Sequence, residues 1–243
     1  MNRLKKPVIF SALLFLFSCG IEEYYYLPQV PEITDTQLAN SATIILPNIS
    51  QYYYATNYSI FYRIYISGVT LPTIQTASER NIINPELAAD FNSLSNYTSP
   101  TGTSVTTSNT FVTLKYYEIE LDGEDILNIF TKNGGTLSIL FPTMPGSYPT
   151  VSLNEGDEIR LRRSGRLTSP RPEGDLFFRN TSELNDNANA TAENNADVAA
   201  GRTDIIQRNA YVSMYIVARG NNEFFSPIYG KPTHINIFRL PDN

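Results

Sequence analysis

A cluster of arginines stands out in a chain that is otherwise acidic: Arg160, Arg162, Arg163, Arg166 and Arg171. The planar guanidinium group suits carboxylate, sulfate and phosphate groups, so the first four are candidate anion-binding residues. Their ligand would be an anionic glycan, a lipid headgroup or an acidic partner. The alternative is the solvated face of a strand, with salt bridges to the neighbouring acids Glu155, Asp157 and Glu158.

Tyr52, Tyr53 and Tyr54 follow one another in a stretch with the composition of a loop. Exposed tyrosines mediate protein contacts, and sugars stack on aromatic rings, so these three are candidate aromatic contact residues. The alternative is that they pack in the core, as tyrosines that alternate within strands do. A second run, Tyr24–Tyr26, either begins the first strand or suits a membrane headgroup layer, because tyrosine is amphipathic.

Residue types typical of catalysis are scarce. His234 is the only histidine and Cys19 the only cysteine, which excludes sites with several histidine or cysteine ligands. Asp122, Glu124 and Asp125 favour a solvated turn over a Ca²⁺ site, because their spacing matches no calcium loop. No nucleophile elbow or phosphate-binding glycine loop occurs. We expect no catalytic residue, metal or cofactor, although carboxylates that pair only in space would allow glycan hydrolysis.

The first 19 residues have the order of an export signal. An apolar stretch, Val8–Phe17, is followed by Ser18 and Cys19 and is too short to span a membrane. It is preceded by three basic residues, Arg3, Lys5 and Lys6. The segment Leu16–Cys19 (LFSC) resembles a lipobox, the site at which bacteria attach diacylglycerol to cysteine and cleave just before it. Phe17 is bulkier than most lipoboxes accept and resembles the looser spirochaete type.

This resemblance implies a signal peptide at 1–18, a tether at 19–31 lipidated on Cys19, and one domain at 32–243. It implies a lipoprotein held in a membrane of the cell envelope by palmitate-like acyl chains. Gly20 replaces the aspartate that retains many lipoproteins at the inner membrane, which favours the outer membrane, on its periplasmic or surface face. Losing the three basic residues would change the formal charge from −6 to −9, which disfavours nucleic acid as a partner.

The rest of the sequence favours strands separated by turns. Tyr58–Ser67 and Asn209–Ala218 alternate strongly, and Thr233–Leu240 predicts a last strand. Thr110–Leu121 also predicts a strand, and Asp122-Gly123 a turn. One short helix is expected at Asn84–Ser95, with Asn84 as N-cap. We expect insertions at 68–110 and 180–206. Within the second, Asn180–Gly201 is expected to be a surface excursion because it holds few large apolar residues.

Both ends of the domain resemble a fibronectin type III sandwich. Tyr58–Ser67 resembles its third strand, and Tyr211–Ile237 its last two, with a turn at Gly220-Asn221-Asn222 and a break at Ser226-Pro227. The resemblance implies an all-β, elaborated fibronectin type III or immunoglobulin-like sandwich; the alternative is a jelly-roll-like fold. Modules of this family bind partners or act as spacers between other domains, and they share no catalytic site. The expected function is therefore a non-enzymatic, lipid-anchored envelope protein that binds a protein or a glycan. Its alternatives are a glycan-acting enzyme and a purely structural envelope component.

Overall fold

A computed structural model describes residues 26–33, 40–95, 110–141, 148–163, 174–175 and 209–240. The predicted signal segment, most of the predicted tether and the predicted insertion at 180–206 lie outside these ranges. So do Cys19, Arg166 and Arg171.

The described residues form many strands and few helices. The strands are β1 Ser41–Ile45, β2 Ala55–Ser67, β3 Tyr117–Glu120, β4 Thr136–Leu140, β5 Thr150–Ser152, β6 Glu158–Arg160, β7 Arg162–Arg163, β8 Gly174–Asp175, β9 Asn209–Asn221, β10 Pro227–Tyr229 and β11 Thr233–Arg239. The helices are α1 Ala77–Ile83, α2 Pro85–Ser95 and α3 Gly123–Asn133. Short 3₁₀ turns lie at Ile49–Gln51 and Asn154–Gly156.

The strands form two antiparallel sheets. The smaller has the order β1-β4-β5-β6, and the larger has the order β10-β9-β2-β3-β7-β8. Strand β11 also pairs with β9, so β10 and β11 follow one another along the same edge of β9. The mostly β architecture with two antiparallel sheets is compatible with the predicted all-β sandwich.

Strands β2 and β9 are the centre of the larger sheet. They pair antiparallel over their lengths, from Ala55 opposite Gly220 to Ser67 opposite Asn209. The alternating residues of β2 from Tyr58 to Ile66 face one apolar core, which also contains Ile44, Leu137 and Val151 from the smaller sheet. The prediction that the two strands are central to one core is confirmed.

The opposite face of the larger sheet is covered by helices α1 and α2. Phe61 and Tyr65 of β2 lie in apolar clusters that contain Leu94 and Leu87 of α2, respectively. Both faces of β2 and β9 are therefore buried, and the alternation in their sequences separates two cores rather than a core from solvent. One core lies between the sheets, and the other lies under the helices.

The predicted helix at 84–95 is confirmed as α2, which begins after Asn84. The Asn84 side chain accepts a hydrogen bond from the Glu86 N–H at 2.9 Å and donates one to the Ile66 carbonyl at 3.0 Å. It thereby caps the helix and ties it to β2. The segment 68–110, which the sequence predicted as an insertion, contains α1 as well as α2, so it contributes the helical layer over the sheet.

Two local predictions are wrong, and the single predicted helix is an undercount. Residues 110–113 form a helical turn, so only the end of the predicted strand Thr110–Leu121 is strand, as β3. Asp122 does not turn a hairpin; its carboxylate accepts from the Asp125 N–H at 2.8 Å and caps α3. No helix in the described part of the chain is long and apolar enough to cross a membrane.

Candidate functional site

A buried ionic cluster lies between β2 and α2. The Arg63 guanidinium donates to Asp90 Oδ2 at 2.6 Å and to Glu86 Oε2 at 2.9 Å. The Tyr65 hydroxyl donates to the same Asp90 oxygen at 2.5 Å and lies 2.9 Å from the Tyr116 hydroxyl. Arg63 occupies a sheet position that alternation alone assigns to the helix-covered face, and Asp90 faces it from α2. The cluster joins the helical layer to the sheet.

The ionic cluster is built to keep Arg63 charged. Burial opposes that charge, but the carboxylates of Asp90 and Glu86 favour it, and the pKa of the guanidinium is raised. Burial raises the pKa of the Tyr65 hydroxyl well above its usual value, so Tyr65 stays neutral and serves as a donor to Asp90. Because Asp90 is buried and its carboxylate is engaged by Arg63 and Tyr65, this carboxylate acts as a structural anchor for α2.

His234 lies close to this cluster on β11, in an aromatic surrounding. Its ring centroid lies 4.9 Å from that of Tyr215 and 5.1 Å from that of Phe91. Nε2 is shielded from water and has no hydrogen-bond partner among the described residues, although part of the residue reaches solvent. Burial, together with the positive charge of Arg80, lowers the pKa of His234 to about 3. The histidine is neutral in the folded protein.

We expect acid to destabilise the protein through His234. Between the ordinary pKa of 6.5 and the folded value of about 3, the unfolded chain binds a proton that the folded chain excludes. The free energy of unfolding therefore falls as the pH falls through this window, by about 2–3 kcal/mol for this group between pH 7 and pH 4. Urea unfolding of the protein and of His234→Phe at both pH values measures this contribution.

The variant is its own control, because the carboxylates titrate in both proteins and only the histidine differs. His234→Phe keeps an aromatic ring between Phe91 and Tyr215, and it should lose less stability on acidification than the parent chain. Equal losses in the two proteins would show that His234 is protonated freely in the folded state.

The arginine cluster lies where the chain passes between the sheets. Arg160 ends β6 in the smaller sheet, whereas Arg162 and Arg163 form β7 in the larger one, and buried Leu161 separates the two strands. Arg160 is exposed, and its guanidinium lies 5.0 Å from the ring centroid of Tyr148. Asp157, a salt-bridge partner in the alternative interpretation, binds Lys132 Nζ at 2.5 Å. The side chains of Arg162 and Arg163 are not among those described, and anion binding stays a prediction.

Exposed aromatic residues collect at one end of the larger sheet. Tyr53 is 93% exposed, Phe225 88%, Phe224 74% and Tyr26 72%, and no other large apolar residue among those described is as exposed. Tyr52 and Tyr54 are half-buried beside them, and the ring centroids of Tyr53 and Tyr54 lie 4.9 Å apart. We call the four exposed residues the aromatic end. Of the three predicted contact tyrosines, Tyr53 is thus the one presented to solvent.

Three segments meet at the aromatic end because β2 begins where β9 ends. The Asn221 N–H donates to the Tyr54 carbonyl at 3.1 Å, which places the tyrosine turn beside the β9–β10 hairpin. A Cβ on Gly220 would lie 2.0 Å from the Tyr54 carbonyl oxygen and 2.9 Å from Leu27 Cδ2. Glycine therefore permits this close approach, and Leu27 brings its neighbour Tyr26 to the same end.

Sequence reasoning missed Phe224, Phe225 and the ionic cluster. The signal for the two phenylalanines was their position in a predicted turn, Gly220 to Pro227, where polar residues are the rule. The signal for the ionic cluster was Arg63 inside the most regular apolar strand. No group of three or more His, Cys, Asp or Glu residues that could hold a metal occurs in the part of the chain that the structure describes.

Comparisons with known proteins return no match: no family model, no curated protein and no solved structure is similar to this chain.

Proposed function

We propose that this chain is a non-enzymatic lipoprotein of the bacterial cell envelope, anchored through acyl chains on Cys19, that binds a protein or glycan partner. The observation that carries the proposal is the order of residues 1–19: a basic start, a short apolar stretch, then the only cysteine of the chain. The anchor holds the protein at the outer membrane, on its periplasmic or surface face. A protein fixed to a membrane in this way acts on partners within reach of its domain.

The domain is an elaborated relative of the fibronectin type III or immunoglobulin-like sandwich, with a jelly-roll-like fold as the alternative. Strand β2 lies beside β9, and β9 lies beside β10 and β11, in one sheet. In immunoglobulin-type sandwiches the third strand and the last two strands share one sheet in this way. The helical layer of α1 and α2 is an addition to that plan, and it comes from the 68–110 insertion.

Two surfaces are alternative candidates for the contact with a protein or glycan partner. Exposed Arg160 lies at the corner between the sheets, where the backbone of β7 continues the arginine-rich segment. Arginine at such a corner suits an anionic glycan or an acidic protein segment. The second surface is uncharged: Tyr53 offers an exposed aromatic ring on which a sugar of a glycan can stack. The acidic formal charge of −6 favours neither nucleic acid nor anionic membranes.

Substituting Cys19→Ala is expected to abolish lipidation. In a bacterial host that processes lipoproteins, growth with an alkyne-tagged fatty acid should label the parent chain and leave the variant unlabelled. Since Cys19 is the only cysteine, no other thiol in the chain can carry the diacylglycerol. Gel fluorescence after coupling a dye to the alkyne reads out the label.

Ser18→Ala is the matched control, because it keeps a small residue just before the cysteine. It should be labelled to the same extent as the parent. Labelling of the Cys19→Ala chain, or no labelling of the parent, would contradict the proposed anchor.

A further inference from the structure

The aromatic end lies where the tether enters the domain. Only seven residue steps separate Cys19 from Tyr26, since 26 − 19 = 7, and a fully extended chain covers about 25 Å in that number. Strand β2 has 13 residues, so its two ends lie about 40 Å apart. The stretch from Cys19 to Tyr26 is therefore shorter than β2. A chain anchored at Cys19 therefore cannot place the Ser67 end of β2 on the membrane without drawing the aromatic end toward it as well.

The hairpin tip holds its two phenylalanines outward on a fixed turn. The Asn222 side-chain oxygen accepts from the Phe224 N–H at 3.0 Å and from the Ser226 N–H at 2.8 Å. The Phe225 N–H donates to the Asn222 carbonyl at 3.0 Å, and Asn222 N–H donates to the Ser226 carbonyl at 3.0 Å. These four hydrogen bonds fix the turn, and the fixed turn presents the two phenylalanine side chains to solvent.

Phe225 occupies a backbone conformation that a phenylalanine rarely adopts. Its φ is 57°, in the left-handed region that favours glycine and asparagine. A glycine would relieve the strain, and no apolar contact offsets it, since the ring is almost fully exposed. Strained conformations of this kind cluster at functional sites, so the exposed ring of Phe225 points to a contact outside the folded domain.

The chemistry of the aromatic end fits the interface of a bilayer better than an anionic surface. Tyrosine is enriched at the headgroup layer, and phenylalanine inserts into the boundary below it. Glu223, which adjoins the two phenylalanines, is exposed and carries no attraction for anionic lipids. Apolar contact, rather than charge, would therefore hold this end to the membrane.

We infer that the aromatic end, formed by Tyr26, Tyr53, Phe224 and Phe225, rests in the headgroup layer of the membrane to which Cys19 is anchored. This inference rests on the proposed lipid anchor. It orients the domain with β2 rising from the membrane, so that the Ser67 end, with α1, points away from the bilayer toward partners.

The chain contains no tryptophan, so a single substitution supplies a unique fluorescent reporter. The lipidated Phe225→Trp chain and the lipidated Val69→Trp chain are reconstituted into vesicles of phosphatidylcholine with or without bromine on the acyl chains. Val69 follows the far end of β2 and is the matched control, since its side chain is also exposed. Bromolipid should quench the Phe225→Trp chain by about twofold or more, with an emission shift to shorter wavelength, and leave the Val69→Trp chain unquenched.

A second reporter, Tyr53→Trp, lies outside the β9–β10 hairpin, so it still reports on membrane contact if the Phe225→Trp substitution distorts that hairpin. Adding Phe224→Ser and Phe225→Gly to the Tyr53→Trp chain should cut its quenching severalfold, while the midpoint of urea unfolding stays the same or rises. A twofold increase in quenching when one third of the lipid is anionic would contradict the apolar contact.

Vesicle flotation separates the two proposals. If the Phe225→Trp and Tyr53→Trp chains float with vesicles while their fluorescence escapes quenching, the lipid anchor stands and the inference about the aromatic end is overturned. If the emission of those reporters instead shifts on addition of envelope glycan or envelope protein, the aromatic end is a partner site and the inference is also overturned. A chain that does not float contradicts the anchor, and the inference falls with it.

Discussion

Replacing Arg63 with methionine is expected to lower the free energy of unfolding by about 3–5 kcal/mol, because the change leaves the buried Asp90 carboxylate without its cation. The Arg63–Asp90 contact is 2.6 Å long, and both side chains are almost fully buried. Methionine replaces the aliphatic stem of arginine but not the guanidinium, so the loss of apolar packing is smaller than the loss of the ion pair. Urea unfolding followed by circular dichroism measures the change.

The double variant tests whether the uncompensated charge is the cause. Arg63→Met with Asp90→Asn removes both charges, and it should recover a large part of the stability lost by Arg63→Met alone. Arg160→Met is the matched control, since Arg160 is exposed, and it should change stability by no more than about 0.5 kcal/mol. A double variant no more stable than Arg63→Met would show that Asp90 does not depend on Arg63.

Ile64→Ala is expected to cost about 2–5 kcal/mol of stability, the usual range for truncating a buried isoleucine to alanine. Ile64 is 2% exposed and lies in the core between the two sheets. Strand β2 cannot collapse into the space, because it is paired with β9 at this position, where Ile64 lies opposite Val212. The melting temperature, read by near-ultraviolet circular dichroism, should fall clearly.

Ile45→Ala makes the same substitution at the end of β1, where the side chain is 67% exposed. It should cost less than about 1 kcal/mol, mainly through strand propensity. If the two variants lost similar stability, the core assigned to the face shared by the two sheets would be incorrect.

The sequence predicted β2, β9 and β11 because apolar residues repeat along them with the period of a strand. Their burial on both faces was not predicted, because Ser59, Arg63 and Ser67 share the second face of β2 with Phe61 and Tyr65. The sequence also does not show which elements cover each face, because that depends on pairing between residues far apart in the chain. The ionic cluster of Arg63 and Asp90 is of this kind, as its partners lie 27 positions apart on different layers.

Short sequence motifs gave wrong predictions where the same residues suit both a turn and the start of a helix. Asp122-Gly123 suits a turn, and an aspartate followed three positions later by another acid equally suits the start of a helix. Ile126 and Ile129 have the spacing of an apolar helix face, and this spacing would have favoured a helix over a turn. For the candidate site, Tyr53 was found from its loop-like surroundings. Phe224 and Phe225 were not, because the turn around them was assigned by its Gly and Asn residues alone.

Membrane anchoring through Cys19 is the central claim, and mass spectrometry of the mature N-terminus tests it most directly. The protein is extracted from the membranes of a bacterial host that processes lipoproteins, digested with protease, and its N-terminal peptide is identified. We expect that peptide to begin at Cys19 and to carry the added mass of diacylglycerol and an N-linked acyl chain. A mature chain that begins elsewhere, or that begins at Cys19 with a free thiol, would contradict the account.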